Sequence, residues 1–144
     1  MLYRLLRPDE NSQLGLWAKN PESNVSVFDH VIKGSSREFD SRYISTFGSL
    51  NAMLKFKSKC WNPDAQMVQI CEDNWPVNDK IDLRTLEFRS GHYICDNLEY
   101  PNALINQFNN HAKKFEEVLL VGHVPPNKIQ LVDVASFVSV RLPT

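Results

Sequence analysis

The chain contains little cysteine and almost no net charge. Its three cysteines, Cys60, Cys71 and Cys95, are spread over 144 residues without a CxxC pair, so we expect reduced thiols in a cytosol-like compartment, not a disulfide framework. His92 lies three residues before Cys95 but has no second pair of ligands nearby, so we expect no structural zinc. The 16 lysines and arginines against 17 aspartates and glutamates leave a net charge of -1, which gives no support to a nucleic-acid partner.

Long apolar segments and several familiar catalytic motifs are also missing. No stretch reaches the roughly 18 apolar residues of a membrane span, and the first ten residues become charged too early for a signal peptide. We therefore expect a soluble protein without a membrane partner, either cytoplasmic or an effector exported without a cleaved signal. The sequence has no P-loop, GxGxxG, HExxH or GxSxG, so phosphoryl transfer, Rossmann redox chemistry and lipase-type hydrolysis lack their usual signatures.

The composition that remains is that of one folded domain spanning residues 1–144. Hydrophobic residues make up 42% and charged residues 23% of the chain, close to the globular average, and a chain of this length can bury a core. Helical spacing is concentrated in the first two-thirds and alternating strands gather at the end. That order is typical of α+β folds and not of alternating βαβ units.

The apolar pattern also predicts individual elements. Three helices are expected, at residues 24–32, 49–57 with Ser49 as the N-cap, and 101–114. Strands are expected at residues 2–6, 41–46, 67–71, 81–83, 117–121, 128–134 and 137–142. Loops are expected at residues 15–21, 60–66 and 122–127, a helix stop at 34–36, and no definite structure at 91–100.

Three short segments place polar residues where a plain core would not have them. Arg4 lies in the apolar first strand, where its guanidinium must be paired. Ser45 and Thr46 end the second predicted strand, after an aromatic–aliphatic pair. Glu116 and Glu117 open the clearest strand, Glu-Val-Leu-Leu-Val, which then turns through Gly-His-Val-Pro-Pro into the next strand.

Taken in order, these segments resemble the ADP-ribosyltransferase superfamily, and more narrowly the arginine–serine–glutamate branch shared by toxins of the cholera and clostridial binary types. The pattern runs from Arg4 through Ser-Thr and Glu-Val-Leu to a Gly-x-Val-Pro-x-x-x-Ile segment that ends at Ile129. The resemblance implies two packed, mainly antiparallel sheets around an NAD cleft, with helices outside. It also implies transfer of ADP-ribose from NAD, which is the substrate, to a macromolecular acceptor without a metal, with NAD hydrolysis as a side reaction.

The resemblance further implies a role for each motif residue. Glu117 would lie beneath the ribose, stabilise the positive charge that develops there and hold the 2′-hydroxyl. Arg4 would face the dinucleotide phosphates. Ser45, supported by Thr46, would orient the glutamate and line the nicotinamide pocket. Further candidates for the NAD pocket are Tyr43, Phe56, Trp17 and His30.

The pattern departs from the family at two positions. Family members often carry Glu or Gln two residues before the glutamate, where it selects and activates the acceptor, whereas this chain has Phe115; that difference argues against an arginine acceptor. Glu116 could partly take this role, although neighbours on a strand point to opposite faces. Phe47 replaces the last serine of the usual Ser-Thr-Ser. The acceptor, protein or nucleic acid, and the oligomeric state stay open.

Structural explanations stay open for the same residues. Arg4 could pair with a carboxylate near its strand, Ser45 and Thr46 could cap a helix, and the glutamate could be an ordinary residue at a strand start. Phe56 could pack in the core, and His30 could be a buried, satisfied histidine. Residues 9 and 10 are predicted to form a solvated turn. The alternatives to a transferase are a non-catalytic module that binds a ligand or a protein, and a dedicated NAD glycohydrolase.

Overall fold

Strands and helices alternate irregularly along the chain in the computed structural model, which describes residues 1–33, 40–59 and 64–133. The strands are β1 Leu2–Leu5, β2 Leu16–Trp17, β3 Tyr43–Phe47, β4 Met67–Ile70, β5 Lys80–Asp82, β6 Ile94–Cys95, β7 Leu98–Glu99, β8 Glu117–Val121, β9 His123–Val124 and β10 Ile129–Leu131. The helices are α1 Val27–Lys33, α2 Leu50–Ser58, α3 Leu86–Ser90 and α4 Asn102–Lys114. None of these described helices is long and apolar enough to cross a membrane.

A six-stranded antiparallel sheet, in the order β10-β4-β1-β3-β8-β5, organises the described residues. At its centre Phe47 of β3 lies opposite Tyr3 of β1 on one side and Glu117 of β8 on the other. Two smaller sheets, β2 with β9 and β6 with β7, have two strands each. The mixed, antiparallel architecture confirms the α+β class that the order of elements predicts.

Two apolar clusters cover the two faces of the six-stranded sheet. The first joins one face to the β2–β9 ribbon and contains Leu2, Leu6, Leu16, Ala18, Ile44, Val68, Ile70, Val118, Leu120 and Val124. The second joins the other face to α1 and α4 and contains Val27, Phe28, Val31, Tyr43, Leu83, Ile105, Phe108, Ala112 and Leu119. Alternate residues of β3 and β8 enter opposite clusters, as the side-chain period of a strand requires. The central strands are thus buried on both faces, which fixes their register.

Local sequence signals set the helix boundaries. The Ser49 hydroxyl accepts a hydrogen bond of 3.1 Å from the Ala52 amide, so Ser49 is the N-cap of α2 as predicted. The alternative in which Ser45 and Thr46 cap this helix is wrong, because both residues lie within β3. In α4 the expected stripe is confirmed at Ile105, Phe108, Ala112 and Phe115, which are buried, and Leu104 packs beside them.

The two-residue strands and the short helix α3 were not predicted from the sequence. Residues 15–21, predicted as a loop, contain β2, and residues 122–127 contain β9; each two-residue strand exists only because it pairs with the other. The undefined region 91–100 is a hairpin whose turn residues, Asp96 and Asn97, take positive φ angles of 53° and 65°, a backbone that Asn and Asp tolerate. Helix α3 was not anticipated. The predicted strand 137–142, the helix stop at 34–36 and residues 60–63 lie outside the described residues.

Candidate functional site

Arg4 is buried in β1, and its guanidinium is paired on two sides. Nη1 donates to the Ser45 carbonyl oxygen at 2.6 Å, and Nη2 donates to both carboxylate oxygens of Glu10 at 3.0 Å. The Glu10 side chain is only 5% exposed and also accepts from the Arg7 amide at 2.8 Å. The prediction of a solvated turn at residue 10 is therefore wrong, because the buried arginine draws this carboxylate inward. The Arg4 Nε atom is buried without a hydrogen-bond partner among the described residues.

Ser45 is joined to α1 through His30. The two ring nitrogens of His30 lie 2.5 Å from the Ser41 hydroxyl and 2.7 Å from the Ser45 hydroxyl. His30 is buried, and this burial, followed by the positive charge of Arg4, lowers its pKa to about 4. The ring is therefore neutral at neutral pH, so one nitrogen accepts and the other donates. His30 is a satisfied, buried histidine that also holds the Ser45 hydroxyl.

Glu117 begins β8 with its side chain almost completely buried. Burial raises its pKa to about 7, although a hydrogen bond with the Ser45 side chain and the charge of Arg4 act in the opposite direction. Arg4, Ser45 and Glu117 belong to the neighbouring strands β1, β3 and β8 of the sheet. The fold thus brings together the three residues that stand 41 and 72 positions apart in the sequence.

The turn before β8 fixes where Glu117 starts. Glu116 has a φ of 49°, a left-handed conformation that non-glycine residues rarely adopt. Its carbonyl oxygen accepts from the Gly48 amide at 2.7 Å, and its carboxylate accepts from the Ser49 hydroxyl at 2.5 Å. Glu116 therefore precedes the strand and is bound to the start of α2, which leaves its carboxylate engaged away from Glu117.

Thr46 and Tyr43 support β3 from opposite faces. The buried Thr46 hydroxyl donates to the Val118 carbonyl oxygen at 2.6 Å and so ties β3 to β8. Tyr43 is buried edge-on to His30, with 5.6 Å between the ring centroids, and its hydroxyl accepts from Arg42 at 3.0 Å. Tyr43 therefore lies beside the histidine that holds Ser45.

Three phenylalanines form one aromatic cluster beside the site. Phe56 of α2 packs against Phe47 and Phe115, with ring centroids 5.3 Å and 5.2 Å away. Phe115, two residues before Glu117, is buried in this cluster. Trp17, by contrast, is 51% exposed and stacks on His123. These contacts make Phe56 and Phe115 packing residues in this structure.

One residue beside the site, His111, is not indicated by any motif in the sequence. His111 of α4 lies with its Nε2 atom 4.0 Å from a carboxylate oxygen of Glu117, and its side chain is 37% exposed. Burial, followed by the charge of Lys114, lowers its pKa. The Glu117 carboxylate thus lies between the partly exposed His111 ring and the Ser45 side chain.

Two cavities among the described residues lie away from Arg4, Ser45 and Glu117. A cavity of about 230 Å³ is lined by residues of the 73–79 loop together with His123, Pro125 and Lys128, and a smaller one of about 100 Å³ adjoins Met1 and β10. Neither cavity includes Arg4, Ser45 or Glu117. No group of three or more His, Cys, Asp or Glu residues in the described ranges could hold a metal ion.

Comparison with known proteins concerns the fold alone. No family model matches the chain, and no curated protein matches it. The solved structure of a protein named EcPltA superposes with a TM-score of 0.55 at 13% sequence identity, over 89% of this chain and 71% of that chain. An identity this low carries no argument about activity. The chain is therefore similar to EcPltA in the arrangement of its strands and helices over most of its length.

Proposed function

We propose that this protein is an ADP-ribosyltransferase that cleaves the nicotinamide–ribose bond of NAD and transfers ADP-ribose to a macromolecular acceptor. The observation that carries the proposal is the meeting of Arg4, Ser45 and Glu117 on three adjacent strands. These are the residues that the resemblance to the arginine–serine–glutamate branch names, in the same order. The NAD cleft would lie beside these strands, between the six-stranded sheet and the elements that pack on it.

Glu117 would supply the main electrostatic contribution. Breaking the bond to nicotinamide develops positive charge on the ribose, and a carboxylate beneath the sugar stabilises that charge most in a site shielded from water. Its pKa of about 7 leaves Glu117 partly protonated at neutral pH in the free protein. The cationic nicotinamide ring of NAD would favour the ionised form on binding, so the substrate itself would help to charge the residue that acts on it.

Arg4 would contact the dinucleotide phosphates. Its Nε donor is buried and has no hydrogen-bond partner among the residues that the structure describes, a costly state that a ligand oxygen would relieve. Glu10 already occupies Nη2, so the phosphates would bind beside that ion pair or displace it. Ser45, held by His30 at 2.7 Å, would keep the carboxylate of Glu117 oriented.

The test is nicotinamide release from NAD by the purified protein and by Glu117→Gln. The substitution preserves size and removes the charge, and Glu87→Gln, at an exposed glutamate of α3, is the matched control. We expect Glu117→Gln to lose at least ~100-fold in rate, or ~2.7 kcal/mol of transition-state stabilisation, while the control keeps the wild-type rate. A wild type that releases no nicotinamide, even with cell extract as a source of acceptors, would refute the proposal.

A non-catalytic module that binds a ligand or a protein is the second candidate. It is favoured by the ion pair of Arg4 with Glu10 and by the position of the 230 Å³ cavity, the larger of the two described above, away from Glu117. NAD binding in calorimetry without nicotinamide release would support it. The burial of Phe115 favours a third outcome, an NAD glycohydrolase, which would release nicotinamide without labelling any added macromolecule.

A further inference from the structure

His111 is the titratable side chain that connects Glu117 with solvent. Its Nε2 atom lies 4.0 Å from the Glu117 carboxylate, which is longer than a hydrogen bond, and its side chain is 37% exposed whereas that of Glu117 is 5% exposed. The Ser45 side chain forms a hydrogen bond with Glu117, and the positive charge of Arg4 acts on it electrostatically. Of these neighbours, only His111 can accept a proton near neutral pH and be reached from outside.

The two residues that directly precede Glu117 do not supply a base beside it. Phe115, which takes the place of a polar residue, is apolar and packed among aromatic rings. Glu116 accepts a hydrogen bond from the Ser49 hydroxyl at the start of α2. His111 makes one aromatic contact, edge-on to Phe115 at 5.0 Å between centroids, and this contact holds the ring without using a nitrogen atom.

We propose that His111 is the general base that takes the proton from the attacking group in this reaction, an inference that rests on the proposed transferase function. The nucleophile, which is a hydroxyl or amine of the acceptor in transfer and a water molecule in hydrolysis, forms a bond to the ribose carbon. The bond from that carbon to nicotinamide breaks, and its electron pair leaves with nicotinamide, which becomes neutral. The proton of the nucleophile passes to His111 Nε2 and then to solvent, which the exposed ring reaches directly.

The charges around His111 suit this role. Lys114 on its own helix and His30 on α1 influence the same region electrostatically, and Glu117 faces it from β8. Burial and the charge of Lys114 lower the pKa of His111 and so favour the unprotonated imidazole. A base must begin the reaction in that form.

The test compares His111→Ala and His111→Asn with His123→Ala, which alters an exposed histidine of β9 that stacks on Trp17. Nicotinamide release is measured over a range of NAD concentrations and pH. We expect the His111 variants to lose about 10²–10⁴-fold in kcat while KM for NAD and the melting temperature stay close to wild type. The control keeps its kcat. Added imidazole should restore part of the rate of His111→Ala and leave His123→Ala unchanged.

The pH profile separates a base from a structural residue. When both Glu117 and His111 must lose a proton, the logarithm of kcat/KM falls with a slope of two below both pKa values, whereas in His111→Asn it should fall with a slope of one. An unchanged kcat, or a slope of two in His111→Asn, would overturn the role of His111. Those results require a wild type that releases nicotinamide, so they are distinct from failure of the proposed function, in which the wild type itself is inactive.

Discussion

Burial of Glu117 makes the protein less stable as the pH rises, and Glu117→Gln should remove this dependence. The pKa of Glu117 rises from the ordinary value of 4.5 to about 7 in the folded state, chiefly through burial. Below pH 4.5 the carboxyl is protonated in both states and contributes nothing. Between pH 4.5 and 7 the unfolded chain releases the proton that the folded chain keeps, so the free energy of unfolding falls. Above pH 7 the loss levels off at about 3 kcal/mol, at 1.36 kcal/mol per pKa unit.

Urea denaturation of the two proteins at pH 5 and pH 8 measures this effect. We expect the free energy of unfolding of Glu117→Gln, relative to wild type, to rise by about 2–3 kcal/mol between the two pH values. All other titrating groups are shared, so the difference between the proteins isolates Glu117. The exposed Glu87→Gln provides a control whose difference from wild type should not depend on pH.

A difference between Glu117→Gln and wild type that is the same at pH 5 and pH 8 would refute the reasoning. It would mean that the carboxyl ionises in the folded protein as it does in water, and hence that Glu117 is not held in a desolvated site. The electrostatic part of the proposed mechanism would then lose its physical basis, whatever the rate measurements showed.

The remaining predictions concern the groups around the site. The pKa of His30 is lowered from 6.5 to about 4, so only the unfolded chain takes up this proton as the pH falls from 6.5 to 4. We expect the free energy of unfolding to fall by up to about 3 kcal/mol over that range, and His30→Gln to abolish this acid sensitivity in urea denaturation. Glu10→Ala leaves Arg4 buried without its carboxylate and should cost about 3–5 kcal/mol, and a smaller loss than 1 kcal/mol would contradict the burial of this pair. Ser49→Ala removes the cap on the Ala52 amide and should cost about 1 kcal/mol by the same measurement, with Ser58→Ala as a control at the other end of α2.

Elements with strong local signals were predictable from the sequence. The apolar run after Glu117 specifies β8, Ser49 specifies the start of α2, and the spacing of Ile105, Phe108 and Ala112 specifies the buried face of α4. Each signal is contained in one short window of the sequence: an apolar run, a capping residue or a helical spacing of apolar residues.

Elements that depend on distant partners were not predictable. Leu16 of β2 pairs with Val124 of β9, more than a hundred residues away, and a strand of two residues leaves no periodic pattern. The same limit applies to the site. The ordered motif named Arg4, Ser45 and Glu117, but nothing in the sequence near Glu117 indicates which face of α4 meets it. A basic residue in an apolar strand with a carboxylate six positions later was the one available signal for the Arg4–Glu10 pair.

The placement of the candidate site on β1, β3 and β8 determines when the site can form during synthesis of the chain. These three strands are neighbours in the sheet, but about 40 residues separate β1 from β3 and about 70 residues separate β3 from β8. During synthesis, β1, β3 and β4 can associate before β8 has been made, but Glu117 joins them only after residues 117–121 leave the ribosome. Pairing over such long sequence separations is slow compared with helix formation. A ribosome-bound chain therefore stays without its candidate site until β8 has left the ribosome and paired with β3.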